Sequence, residues 1–317
     1  MTFDELVKMK QNELFLHLKC TYGKKATSLK GSYILVKGEA PVLLVAHLDT
    51  VHKEQVQTIC WSDDGVIAMS PQGIGGDDRC GVWALMEVYD SAKVKPWLLF
   101  TCDEEIGGVG ANKFCSMYKS GKLPKDLRNL KLIIEIDRKG ENDAVYYDCA
   151  NPEFEEYITS KGFITNFGSF SDISIIAPAL GVAAVNLSSG YYNAHTQHEY
   201  INLTHLANTT NRVNTIIRDA TEHEFPRYEY IEAVHESLLG DWSYWGYGGK
   251  QILETLPETI CDEYEALLEF YSTDELEFLR AENGDSIILE MFRSEFGDWN
   301  GYFEIMGYDI GDDAQIC

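Results

Sequence analysis

The sequence predicts an α/β chain: a three-layer sandwich on a mixed, mostly parallel sheet, followed by an acidic C-terminal appendage. Three observations carry that expectation. Short apolar runs rich in Val, Ile and Leu alternate with helix-length stretches through the first two-thirds of the 317 residues, the pattern of strand–helix–strand units. Several of these runs end on an acid or a histidine, and the carboxyl ends of strands are where open α/β sheets form their ligand crevices. Charge is also uneven. Of a net −25, residues 227–317 hold −18, from 22 acidic against 4 basic residues, which leaves −7 for residues 1–226.

The chain opens with MTFDELVKMKQNELFLHL, which reads as an amphipathic helix; it lacks the long apolar stretch of a signal peptide. Thr2 and Glu5 have capping-box spacing, and Phe3, Leu6, Met9, Leu14, Leu16 and Leu18 repeat with only an approximate helical period. Strands are expected at 32–37 and at 42–46, where VLLVA runs into His47-Leu48-Asp49. A helix over about 78–91 starts directly after Gly75-Gly76-Asp77, with Asp78 placed to cap it or to reach a neighbouring strand. A phosphate-binding loop would need Gly-Lys-Ser/Thr at this point, and none follows. WLLFT at 97–101 leads into Cys102-Asp103-Glu104-Glu105, then a helix over about 108–120. LIIEI at 132–136 leads into Asp137. Strands near 144–148 and 182–187 and a helix over about 203–221 complete this part.

Composition excludes several classes. There is no run of about 18 apolar residues to span a membrane, and no basic face to neutralise nucleic-acid phosphates. The eight cysteines form no C-x-x-C pair and no dense framework, which reads as reduced, cytoplasmic thiols. Cys80 and Cys102 fall near the strand-end residues, where they read as small buried hydrophobes rather than ligands or nucleophiles.

Seven residues stand out at the predicted strand ends and loops: His47, Asp49, Asp77, Glu104, Glu105, Asp137 and His195. Imidazole and carboxylate suit zinc, and two ions sharing a bridging carboxylate need two His and at least three acids. In His47-x-Asp49 the acid is placed to take the second ring N–H of a ligating histidine. Adjacent Glu104 and Glu105 make sense as two functions side by side, one binding metal and one moving a proton.

The segments VAHLDTVH (45–52), GIGGDDRCGV (73–82), TCDEEIGGVGA (101–111), EIDRKG (135–140) and NAHTQHE (193–199) resemble, in order, motifs of the co-catalytic zinc exopeptidases, the group of peptidase T, the glutamate carboxypeptidases and the double-zinc aminopeptidases. The resemblance runs from about residue 40 to residue 215. It implies the zinc exopeptidase fold over residues 1–225. It also implies one metal held by His47 and Asp137, another by Glu105 and His195, Asp77 bridging them, and Glu104 as general base. The metals would be zinc, with cobalt or manganese as substitutes, and the reaction amide hydrolysis by a water bridging the two ions. Glu199, four residues after His195, matches the last motif and leaves His198 a bystander or substrate contact; His52 is not used by the family pattern. Asp172, in GSFSDIS, is a candidate for the substrate pocket or for support of the metal ligands. Tyr191 and Tyr192 either line the pocket or pack.

Spacing also bears on the branch. The interval between Asp137 and His195 is too short for the lid domain of the carboxypeptidase branch, and that between His47 and Asp77 leaves no room for an inserted β domain. The expected function is therefore aminopeptidase action on short peptides, an acidic surround attracting the free amine. A carboxypeptidase or N-acyl amino acid deacylase would need a cationic clamp, for which Arg138 is the candidate. A catalytically inactive binding module of the same fold is the rival class, but it predicts damage to the base or ligands, and those residue types are intact here. Residues 226–317 fall outside the resemblance. Their aromatic clusters (Trp242, Tyr244, Trp245, Tyr247; Phe296, Trp299, Tyr302, Phe303) and helix-like 261–279 favour a small folded appendage, for contact between copies of the chain, shielding of the site, or stability.

Overall fold

Eight strands form the central sheet. The computed structural model describes residues 1–147, 151–166, 168, 170–222, 224–231, 260, 263, 264, 267, 271, 276, 280 and 284–296. In chain order the elements are α1 (Phe3–Val7), α2 (Gln11–Tyr22), β1 (Ala26–Leu29), β2 (Tyr33–Val36), β3 (Val42–His47), β4 (Cys60–Trp61), β5 (Ile67–Met69) and α3 (Gly76–Ser91). Then follow β6 (Trp97–Thr101), α4 (Val109–Lys119), β7 (Leu132–Arg138), β8 (Asp143–Val145), α5 (Pro152–Ser160), β9 (Ile164–Thr165) and α6 (Asp172–Leu180). The remainder are β10 (Ala184–Ser188), β11 (Tyr191–Tyr192), β12 (Tyr200–Asn202), α7 (Leu203–Ala220) and α8 (Ser286–Phe296). The sheet order is β1-β2-β6-β3-β7-β10-β8-β9. Its centre, β6-β3-β7-β10, is parallel throughout, and the β1-β2-β6 edge and the β10-β8 pair are antiparallel.

Strand periodicity explains the three layers. On β3, Val42, Leu44 and Ala46 face one layer and Leu43 and Val45 the other; on β7, Leu132, Ile134 and Ile136 oppose Ile133. The first layer packs under α1, α2, α3, α5 and α7, the second under α4 and α6. Both faces of the parallel centre are covered, which is why its strands read as continuous apolar runs. Each fully buried Val, Leu or Ile contributes roughly 1.5–3 kcal/mol. One position breaks the pattern: Glu135 sits fully buried beside Ile133 and Ile134.

Local signals set the helix ends. Thr2 and Glu5 form the reciprocal capping box of α1, but the expected single N-terminal helix divides. Buried Phe3, Leu6 and Val7 belong to α1 and buried Leu14, Phe15, Leu18 and Tyr22 to α2, with a turn at residues 8–10. The approximate period reflects two separate helices, each with its own buried residues. Asn151 caps α5, with Pro152 in the first turn, and Asn202 caps α7 through the amides of Thr204 and His205. Helix α6 was not expected, since Pro178 interrupts its pattern. β8 stops at Val145 rather than 148; Tyr147 has a left-handed φ of 46°.

The interval between His47 and Asp77 holds no domain, but it is not only loop. Strands β4 and β5 pair there and join β12 and β11 in a second, four-stranded antiparallel sheet. Among the described residues no helix is long and apolar enough to cross a membrane.

The chain divides into two compact units, Met1–Val234 and His235–Cys317. The sequence reading placed the division at 225/226. In the structure Phe225, Tyr228 and Tyr230 pack on the core of the first unit, and Tyr228 N–H donates to Lys131 O at 2.9 Å. In the second unit Ile260, Tyr264, Leu267, Leu276, Ile288 and Phe292 form a buried apolar cluster. There Arg280 pairs with Asp285 at 2.8 Å. Most of 261–279 and the aromatic groups around Trp242–Tyr247 and Trp299–Phe303 lie outside the described residues.

Candidate metal centre

Strand register brings the candidate residues to one end of the sheet. β3 ends on His47, which pairs with Thr101 of β6, so Glu104 and Glu105 follow in the loop just beyond. Val45 pairs with Glu135, so His47 and Asp137, each two residues on, are level across the β3–β7 pair. Asp77 sits at the start of α3, within a Gly75-Gly76-Asp77-Asp78 turn whose Asp77–Asp78 peptide is cis. His195 lies in the loop between β11 and β12, where Asn193 (φ 55°) and His195 (φ 64°) take left-handed conformations. Such conformations cost of order 1–3 kcal/mol for non-glycine residues and often mark functional loops.

Asp77 lies between the two histidines. Its Oδ1 is 3.0 Å from His47 Nε2 and its Oδ2 is 3.2 Å from His195 Nε2. His47 Nε2 also lies 3.6 Å from Asp137 Oδ1, and His195 Nε2 lies 3.2 Å from Glu105 Oε2. The donor atoms of His47, Asp77 and Asp137 fall within 4.8 Å of one another, as do those of Asp77, Glu105 and His195, and those of His47, Glu104 and Glu105. Mixed nitrogen and carboxylate donors at this spacing fit a divalent ion of the zinc type. The fit extends to Glu105, whose Oε1 is buried with no hydrogen-bond partner.

Surrounding groups fix the donors in place. Asp49 Oδ1 lies 3.3 Å from His47 Nδ1, and its Oδ2 accepts Glu105 N–H at 3.1 Å, so one carboxylate touches a residue of each group. Asp78 is fully buried and accepts the amides of Gly81 (2.8 Å) and His47 (3.2 Å), which combines the cap and the neighbouring-strand contact. Asn186 accepts Asp137 N–H at 2.8 Å and donates to Asp137 O at 2.9 Å. Glu199 is fully buried; it accepts the amides of Gly75 (2.9 Å) and Asp77 (3.0 Å) and lies 2.7 Å from His52 Nε2.

The charges are strongly coupled. Burial alone would raise the Asp77 carboxyl, but the hydrogen bonds from His195 and His47 outweigh it and hold it well below the usual range. Burial likewise opposes protonation of His47, yet Asp137, Asp49 and Asp77 hold it well above its ordinary value. Hydrogen bonds to Asp77 and Glu105 raise His195 to about 11. Burial pushes Glu104 up to about 9, with the charges on Asp137, Asp172 and Glu105 adding to it. Burial, then the Asp77 charge, raises Asp137. Without a cation this cluster therefore holds protons that a bound metal ion would displace.

Other sequence candidates fall around the cluster. Asp172 begins α6 fully buried, pushed up by burial to about 6, and it acts on Glu104 and Glu135 through its charge rather than lining an open pocket. Tyr191 is buried with its hydroxyl 3.5 Å from Asp137 Oδ1. Tyr192 turns away, stacking on Tyr200 at 4.9 Å and meeting His205 Nδ1 at 2.6 Å. Arg138 lies 3.9 Å from Asp143. His198 is exposed. Burial raises the thiols of Cys80 and Cys102, the latter to about 12, which keeps them protonated and inert.

Sequence reading passed over Glu135, Asn186 and the full role of Glu199. Glu135 had a signal, an acid at an inward position of an otherwise apolar strand; it accepts a hydrogen bond from Ser171 Oγ. Asn186 had none, since an amide within AVNLS reads as one polar residue in a strand.

No family model matches the sequence, and no curated protein matches it either. Solved structures share its fold. A tripeptidase from Staphylococcus aureus is 16% identical with a TM-score of 0.51, covering 69% of this chain and 96% of that one. The aminopeptidase PepT from Bacillus cereus is 15% identical with a TM-score of 0.51, covering 69% and 97%. A TET aminopeptidase from a marine-sediment Thaumarchaeota archaeon is 12% identical with a TM-score of 0.51, covering 68% and 96%. At these identities the likeness establishes the mixed α/β fold.

Proposed function

We propose that the chain is a two-metal aminopeptidase that cleaves the first peptide bond of short peptides. The observation that carries this reading is the placing of Asp77, one oxygen toward each histidine, with a further carboxylate beside each of them. The donor set divides into His47 with Asp137 and His195 with Glu105, sharing Asp77. Two dications held there, zinc first and cobalt or manganese as substitutes, would polarise the scissile carbonyl and make a water acidic enough to be deprotonated near neutral pH.

The chain's own residues do the rest. Glu104, grouped with His47 and Glu105 but not needed to complete either ligand set, takes the proton of the attacking water and returns it to the leaving amine. Asp49 fixes the ring of His47 and the backbone of Glu105 together. Asp78, Asn186 and Glu199 hold the backbone of His47, Asp137 and Asp77. The fold shared with two aminopeptidases and a tripeptidase supports the same reaction class. The five free cysteines among the described residues fit a reducing, cytoplasmic setting.

The test is a panel of free-amine peptides and their N-acetylated counterparts, assayed with added zinc, cobalt or manganese. Only the free-amine peptides should be hydrolysed. Equal hydrolysis of blocked peptides would move the assignment to a deacylase or carboxypeptidase, and no hydrolysis of either would leave a binding module.

A further inference from the structure

His205 is not among the proposed ligands, yet it holds one end of the loop that carries His195. It lies in the first turn of α7, where Asn202 Oδ1 accepts its backbone N–H at 3.2 Å. Its Nδ1 is 2.6 Å from the hydroxyl of Tyr192, three residues before His195. A phenol hydroxyl can donate or accept, so this contact stands for either tautomer of the ring. On the other side of the ring, Nε2 meets Asn202 Nδ2 at 3.3 Å and Glu141 Oε2 at 3.5 Å. These contacts are longer, and Glu141 is partly exposed, so they orient the imidazole more than they hold anything else in place.

The loop after Tyr192 needs holding. Asn193 and His195 take left-handed conformations, with φ of 55° and 64°, which non-glycine residues keep only where their surroundings enforce them. Inside the loop, the N–H and Oγ1 of Thr196 donate to Asn193 O at 3.4 and 2.8 Å, and Thr196 Oγ1 accepts His198 N–H at 3.2 Å. Those bonds shape the loop without fixing where it sits. Its position is set at its two ends. At one, buried Glu199 takes the amides of Gly75 and Asp77. At the other, the Tyr192 ring stacks on Tyr200 with centroids 4.9 Å apart and planes within 9°. Stacking joins Tyr192 only to the neighbouring strand β12, whereas its hydroxyl ties it to α7. That helix packs on α3, whose first turn holds Asp77. Exposed His195 lies between the two holds.

We propose that His205 is a positioning residue: through the Tyr192 hydroxyl it fixes the place of His195, and with it the affinity for the metal that His195 shares with Glu105 and Asp77. The inference rests on the two-metal reading. Its effect is confined to that metal, because Asp137 has its own backbone support in Asn186, at 2.8 and 2.9 Å.

The test is a competitive zinc titration of the full chain, in which His195→Ala identifies the binding step that the loop controls. Tyr192→Phe keeps the stacked ring and loses the hydroxyl. It should weaken that step by about tenfold or more and leave the other step unchanged. His205→Ala should do the same, and the double variant should be no weaker than either single one, since both remove one contact. His205→Gln, whose amide can still meet the hydroxyl, should recover most of the loss. Tyr192→Phe decides the matter alone if His205→Ala does not fold. An unchanged loop-controlled step in Tyr192→Phe would overturn the positioning role and leave the peptidase reading standing. Losses that add in the double variant, or that fall equally on both steps, would also overturn it. Zinc binding as expected without cleavage of any peptide would sink the peptidase reading and leave the positioning role standing. A wild-type chain that binds no zinc would sink both.

Discussion

Glu199 Oε1 accepts the backbone N–H of Asp77 at 3.0 Å, from the far side of the chain. Its other oxygen holds Gly75 N–H at 2.9 Å and faces His52 at 2.7 Å. One buried carboxylate thus fixes the turn that aims both oxygens of the proposed bridge. Glu199→Ala should lower stability by about 3 kcal/mol, since it strips a buried charge from several hydrogen bonds. It should also weaken metal binding by about tenfold or more. Denaturant melts and competitive zinc titration measure the two effects; unchanged zinc affinity would show that Asp77 needs no such support.

Glu104→Gln separates proton transfer from metal binding. Turnover should fall by about a hundred- to ten-thousandfold, while metal content, measured by mass spectrometry of the dialysed protein, stays near that of the wild type. Retention of most activity would assign the base elsewhere, with Glu105 the next candidate.

His195→Ala should lower the occupancy of one metal and spare the other, because only the Asp77–Glu105–His195 group loses a donor. Asp77→Asn should lower both. Metal-to-protein ratios for the two variants give the comparison directly.

The metal-free chain should lose stability as pH rises. Glu104 titrates near 4.5 when unperturbed and near 9 in the metal-free fold, so between these values the unfolded chain binds fewer protons. Stability from this group is complete below the lower value and is lost through the upper one. His195 has the same sign, moving from its usual 6.5 to about 11. The melting temperature in chelator should therefore fall between roughly pH 5 and pH 9. Bound dications favour the deprotonated cluster, so zinc affinity should rise over the same interval.

How much of this was legible in the sequence depended on residue type. Val42–His47 and Leu132–Arg138 announced themselves because strands buried on both faces need unbroken apolar runs. The candidate donors His47, Asp137 and Glu105 were readable because they end or follow apolar runs, and Asp77 because it follows Gly75-Gly76, whereas His195 was reached through its motif. Helix α6 was hidden by Pro178, and the β4–β5 pair is too short to show a period. The backbone support Asn186 had no pattern of its own, since a side chain that binds a distant amide leaves no local spacing, and Glu199 was marked only by its spacing from His195.

The central claim, two metals sharing Asp77, is tested most directly by anomalous diffraction at the zinc edge from crystals of the zinc-loaded chain. Two peaks roughly 3.5–4 Å apart are expected, one touching Asp77 Oδ1 with His47 and Asp137, the other touching Asp77 Oδ2 with His195 and Glu105. A single peak, or two peaks that do not share Asp77, would contradict it.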